Sequence, residues 1–154
     1  MSIYLYFLLF LIYSFIGWLI EIINVSWIEK RFVNRGFLLG PYCPIYGVGG
    51  LLCYLLLRKY LNDPLALFMM SILIFSILEY STSYLMEKLF KARWWDYSDK
   101  KYNINGRICL ETMIPFGLLG CFAMYVLNPF LINLLERIPN TLSIILAIIL
   151  LIVF

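Results

Sequence analysis

Long apolar runs separated by short polar loops organise this chain. The runs extend from Ile3 to Ile28, Tyr42 to Leu57, Leu65 to Met86, Ile108 to Leu135 and Thr141 to Phe154. A bilayer's hydrocarbon core is about 30 Å thick and takes roughly 20 apolar residues to cross at helical rise. In hydrocarbon an unpaired backbone group costs several kcal/mol, so the runs are predicted to be helices. The pattern predicts an all-α integral membrane protein with about five transmembrane helices in a single domain, residues 1–154. The last run is short for a span, and Pro139, which has no amide donor, predicts a break before it. With no Lys or Arg ahead of its apolar run, the N-terminal segment is expected to remain as the first helix rather than be cleaved as a signal peptide.

Composition agrees with the pattern. Hydrophobic residues make up 64% of the 154 and charged residues 14%, with a mean hydropathy of +0.91, so lipid is the main solvent. The formal charge of +3 reflects where the loops lie rather than a nucleic-acid footprint. Lys30, Arg31 and Arg35 occupy the first loop, and Lys88, Lys91, Arg93, Lys100, Lys101 and Arg107 the third. Arg58 and Lys59 fall in the second, and Arg137 in the fourth. Loops one and three therefore carry nine basic residues against three. The positive-inside rule makes their side cytoplasmic and puts the N-terminus outside, in the cytoplasmic membrane of a prokaryote.

An internal duplication is legible. "EIINVSWIEK" at 21–30 faces "EYSTSYLMEK" at 79–88, each a Glu followed eight positions later by Glu-Lys. Beyond it "NRGFL" at 34–38 faces "NGRICL" at 105–110, and "PIYG" at 44–47 faces "PFG" at 115–117. These matches predict a parallel repeat of a helix-loop-helix unit, about 3–60 and about 64–135, with a terminal helix at about 141–154. Chance similarity of two amphipathic helix ends is the alternative. The stretch "KARWWDYSDKKY" is then an insertion peculiar to the second copy, as an interfacial anchor or as a docking segment.

Charges inside apolar runs are the candidate chemistry. Glu21 and Glu79 hold equivalent positions, and Arg35 and Arg107 are counterparts in the loops. Arg107 and Glu111 are four residues apart, which on a helix puts them on one face. Glu21, Glu79 and Glu111 are expected to meet Arg35 and Arg107 in a cytoplasmic vestibule, with Asn34, Asn105, Tyr46, Trp95 and Asp96 as secondary candidates. They read equally as structural ion pairs and helix-end anchors, or as a substrate, ion or headgroup site. In "GPYCPIYGVGG" at 40–50, the prolines lead a helix start or mark a broken helix, and the glycines allow close helix approach. Cys43, Cys53, Cys109 and Cys121 lack the C-x-x-C spacing of zinc or redox sites and read as small core residues. There is no histidine and no nucleophile constellation; no metal or cofactor is expected.

The blocks "FIGWLIEIINVSWIEKRFVNRGFLLGPYCPIYG" at 15–47 and "LEYSTSYLMEKLFKARWWDYSDKKYNINGRICLE" at 78–111 resemble the ABC-transporter type IV permease family, also called CmpB-like. The resemblance implies a membrane transporter or permease subunit working with a separate ATPase, since this sequence has no G-x-x-x-x-G-K-[ST] loop. Membrane lipids are expected partners and a homo-oligomer is a further possibility; nucleic acid is not expected. Two other functions stand beside this one: an intramembrane enzyme acting on a lipid or lipid-linked substrate, with Glu as acid or base and Arg35 or Arg107 on a phosphate, and a non-catalytic membrane scaffold.

Overall fold

The structure is a computed structural model and describes residues 2–31 and 40–153. Along the chain it forms α1 (Ile3–Glu29), α2 (Pro44–Leu56), a 3-10 turn (Arg58–Tyr60), α3 (Pro64–Phe90), a two-stranded hairpin of β1 (Asn103–Ile104) and β2 (Ile108–Cys109), α4 (Leu110–Phe122), a π-helical turn (Ala123–Leu127), α5 (Asn128–Glu136) and α6 (Asn140–Val153). The fold is mostly α. Three helical stretches of 27 residues, Ile3–Glu29, Pro64–Phe90 and Leu110–Glu136, are long and apolar enough to cross a membrane; at 1.5 Å per residue each is about 40 Å long. The apolar helices α2 and α6 have 13 and 14 residues, about 20 Å, and fall short of that length. Among the described residues three helical stretches thus have spanning length, and the other two apolar runs form shorter helices.

Local chemistry sets the boundaries. Pro44 opens α2, where a residue without an amide proton loses nothing. Asp63 caps α3 by accepting from Ala66 N at 3.0 Å, with Pro64 in the first turn. At the far end Lys91 takes a left-handed φ of 58° and donates its amide to Glu87 O at 2.9 Å, closing the last turn as Gly or Asn more often does. Lys30 ends α1 with a similar φ of 53°. Pro139 lies in the break between α5 and α6. The π turn comes just ahead of Pro129, whose missing donor interrupts the ordinary helical register.

The chain groups into two compact units, 1–51 with 128–154, and 52–127. In the first, Cys43 N donates to Ser14 O at 2.9 Å, fixing the start of α2 against the middle of α1. A Cβ on Gly47 would lie 2.6 Å from the Phe10 ring and would also strike Ser14, and one on Gly50 would strike Tyr13. The backbones thus approach to a distance that only glycine allows. Tyr13 donates to Asn128 Oδ1 at 2.9 Å and Tyr4 to Asn140 Oδ1 at 3.0 Å, tying α5 and α6 to α1.

In the second unit, α3 packs on α4. A Cβ on Gly117 would lie 2.6 Å from the Phe68 ring and 2.7 Å from Ile72 Cγ1, and one on Gly120 would strike Ser71. Phe75 and Phe116 meet with centroids 6.0 Å apart. Cys53, Leu57, Leu67 and Met124 form a buried cluster beside this contact. All four cysteines are free thiols.

Gly117→Leu should lower the melting temperature in mild detergent by the equivalent of about 1–3 kcal/mol of overpacking. An unchanged melting temperature would show that α3 and α4 do not meet at this glycine.

Candidate functional site

Polar residues inside α3 fall in register. Ser76, Glu79, Ser83 and Glu87 are separated by three, four and four residues, the spacing that aligns side chains on one helix face. Ser71, Ser76, Glu79 and Ser83 are buried, whereas Leu73, Ile77, Leu85 and Leu89 are exposed on the apolar side. Glu79 is 6% exposed and lies eleven residues before Phe90, about 16 Å from the end of the helix. A carboxylate at that depth costs a few kcal/mol unless something holds it.

The segment after α3 supplies what holds it. Asn105 and Gly106 have φ of 54° and 67°, and Arg107 N donates to Ile104 O at 3.0 Å. Positive φ at both central residues is what the tight hairpin turn requires, and Asn-Gly is the pair that adopts it most easily. The strands pair Asn103 with Cys109 and Ile104 with Ile108. Upstream, Tyr97 N donates to Gly106 O at 2.8 Å, and the Trp95 indole N–H to Arg107 O at 2.9 Å. The Ser98 hydroxyl and amide both donate to Asp96 and, with Arg93 nearby, hold its carboxyl below the ordinary carboxylate range.

This folded strap lays two groups against α3. The Tyr97 hydroxyl donates to Glu79 Oε1 at 3.1 Å. Arg107 donates to Ser83 Oγ at 3.2 Å and pairs with the Glu87 carboxylate, which Arg93 Nε also meets at 3.1 Å. The guanidinium carbon lies 5.7 Å from the Tyr80 ring centroid and 5.4 Å from that of Tyr84. Arginine suits this place, since its flat, weakly hydrated fork donates several hydrogen bonds while stacking on rings. Asn105 Nδ2 donates to the Tyr80 hydroxyl at 2.9 Å, joining the turn to the same helix.

Of the candidates read from sequence, Glu79, Arg107, Asn105, Trp95 and Asp96 are thus connected by α3 and its strap. Glu21 accepts from the Tyr46 hydroxyl at 2.7 Å within the first unit. Glu111 differs from expectation. Because α4 starts at Leu110, Arg107 belongs to the hairpin and the helical four-residue rule does not apply. Glu111 instead pairs with Lys100 at 2.9 Å, which holds the lysine's pKa above its ordinary value. Asn34 and Arg35 lie outside the described residues, as does any vestibule built on Arg35. Ser83, Glu87, Tyr80, Tyr84 and Tyr97 were not singled out by sequence; the helical period running from Glu79 through Ser83 to Glu87 was the signal for Ser83 and Glu87, and nothing local marked Tyr97.

The model of the family described as "Putative ABC-transporter type IV" matches residues 8–154. Neither the curated proteins nor the solved structures gave a match.

Tyr97→Phe removes the hydroxyl donated to a buried carboxylate, and should cost about 1–3 kcal/mol. Tyr46→Phe should cost less, since Glu21 is only partly buried. Melting curves of the two variants compare them; equal losses would mean that the deeper burial of Glu79 adds nothing to the strength of the Tyr97 contact.

Proposed function

Because the chain belongs to the ABC-transporter type IV family, we propose that it is the membrane-embedded permease subunit of a transporter whose ATPase is a separate polypeptide. The observation that carries this reading is the family match over residues 8–154. The three stretches long enough to span a membrane suit a permease. The sequence has no phosphate loop of its own, so hydrolysis is assigned to the partner.

The same proposal takes the chain as a duplicated helix pair, with Glu21 and Glu79 as equivalent groups of the transport site. Packing inside each unit supports the duplication. Glu21 and Glu79 differ by 58 in number, and adding 58 to Phe10, Tyr13, Ser14 and Gly17 gives Phe68, Ser71, Ile72 and Phe75. Gly47 and Gly117 differ by 70, as do Gly50 and Gly120, and Tyr46 and Phe116. Gly47 meets Phe10 and Ser14, while Gly117 meets Phe68 and Ile72; Gly50 meets Tyr13, while Gly120 meets Ser71. Tyr46 lies against Gly17, and Phe116 against Phe75. Every one of these contacts obeys the two displacements.

Purification of the tagged chain from its host in mild detergent should bring with it a polypeptide bearing a phosphate loop. In proteoliposomes the chain should stimulate that partner's ATP hydrolysis severalfold, and Glu79→Gln should remove the stimulation while the complex stays assembled. Absence of any ATPase partner, or stimulation indifferent to Glu79, would sink the reading.

The basic residues of the first and third loops support an external N-terminus. In a background without the four native cysteines, Ser2→Cys should react with an impermeant maleimide in intact cells, and Lys101→Cys only after permeabilisation. The reverse pattern would overturn this orientation.

A further inference from the structure

We propose that the end of α3 carries a binding site for a phosphate-bearing group of net negative charge, formed by Lys88, Lys91 and Tyr84 beside Arg107. The inference goes beyond the permease reading and does not depend on it. A cleft of about 410 Å³ opens there, lined by Tyr84, Glu87, Lys88, Lys91 and Arg107. That volume is within the usual range of small-ligand sites.

Charge in the cleft is unbalanced. Its one carboxylate, Glu87, is already engaged by Arg107 and by Arg93 from outside the lining. Lys88 and Lys91 are exposed, and among the described residues neither forms a salt bridge; the Lys88 ammonium has only the Tyr84 ring, 5.9 Å from its centroid. A cation in the last turn of a helix is favoured by the helix dipole. The dipole does not account for three cations lining one cleft with a single carboxylate among them. Placing an anion between the two lysines would relieve their repulsion, with hydrogen bonds from both ammonium groups to its oxygens.

Location favours a lipid headgroup as the source of the phosphate. Trp94 packs edge-on against Phe90 at the same end of α3, 6.1 Å between centroids, and tryptophans of this kind sit at headgroup level. A soluble phosphate-bearing ligand has the same chemistry and is separated by experiment.

The full chain in mild detergent is titrated with phosphatidylglycerol or phosphatidylcholine and read by native mass spectrometry, with and without inorganic phosphate as competitor. Phosphatidylglycerol should be retained in preference to phosphatidylcholine. The double variant Lys88→Gln with Lys91→Gln should bind it more weakly by a factor on the order of ten or more, since each lysine near an anionic surface is worth about 1 kcal/mol. Lys59→Gln with Lys101→Gln removes the same charge elsewhere and should leave retention unchanged. Retention that resists millimolar phosphate identifies a lipid headgroup; phosphatidylglycerol displaced by phosphate identifies a site for a soluble phosphate-bearing ligand. Equal retention of the two lipids, no loss in the Lys88/Lys91 variant, or an equal loss in the control pair would overturn the proposal.

Discussion

A carboxylate held in the middle of an apolar helix is the constraint on which much of the second unit depends. Glu79 is buried about 16 Å from the end of α3, and a carboxylate taken out of water needs hydrogen-bond donors from the protein. A hydroxyl has to be brought to it, and Tyr97 does so from a segment that begins only after the helix has ended. That segment in turn needs an attachment to α3. Arg107 provides it by gripping Ser83 and Glu87, one and two turns along the same face. The Asn105-Gly106 turn, the Trp95 bond to Arg107 O and the Asp96 bonds to Ser98 all keep the strap in the shape that makes this possible.

The first unit meets a similar need more simply. Glu21 takes its hydroxyl from Tyr46, which rides on α2. Under the proposed duplication, the place of Tyr46 is taken by Phe116, whose ring lies tilted against Phe75 and has no hydroxyl. Under that proposal the strap supplies the donor from another direction, which would give the residues inserted after α3 a physical purpose. The two arrangements differ in dynamics. Withdrawing Tyr46 means separating helices in contact at glycine, whereas withdrawing Tyr97 means opening a short surface segment held by hydrogen bonds. Local opening of that second kind draws on the low-stability end of a structure.

How much of this was legible in the sequence depended on the range of the interaction. Apolar runs, the helix start at Pro44 and the break around Pro139 are local signals, and the structure places elements where they fall. The family was legible too, because its two blocks are long and unusual. Arg107 with Glu87 was not, since the partners are twenty residues apart and their meeting depends on the hairpin between them. "ING" followed by "RI" at 104–108 carried the hairpin signal. The four-residue spacing of Arg107 and Glu111 points instead to one helical face, but α4 begins only at Leu110. The polar stripe of α3 was diluted by the surrounding apolar residues, so only its most costly member, Glu79, stood out.

The short helices bear on how such a chain lies in lipid. A helix that ends within hydrocarbon leaves carbonyl groups with no water to accept from. At the end of α2 the Cys53 carbonyl accepts from Leu57 N at 2.9 Å, and the turn beyond it continues the pairing with Tyr60 N to Leu57 O at 2.9 Å and Leu61 N to Arg58 O at 3.4 Å. The Tyr125 hydroxyl then donates to Leu61 O at 2.9 Å. With this turn added to its 13 residues, α2 gains several ångströms toward the thickness of the core at about 2 Å per 3-10 residue. Arg58 and Lys59 fall in that turn, where their charged heads can reach the interface while the stems stay among apolar groups. With the turn the second apolar run reaches about 26 Å, which narrows the gap to the roughly 30 Å core without closing it.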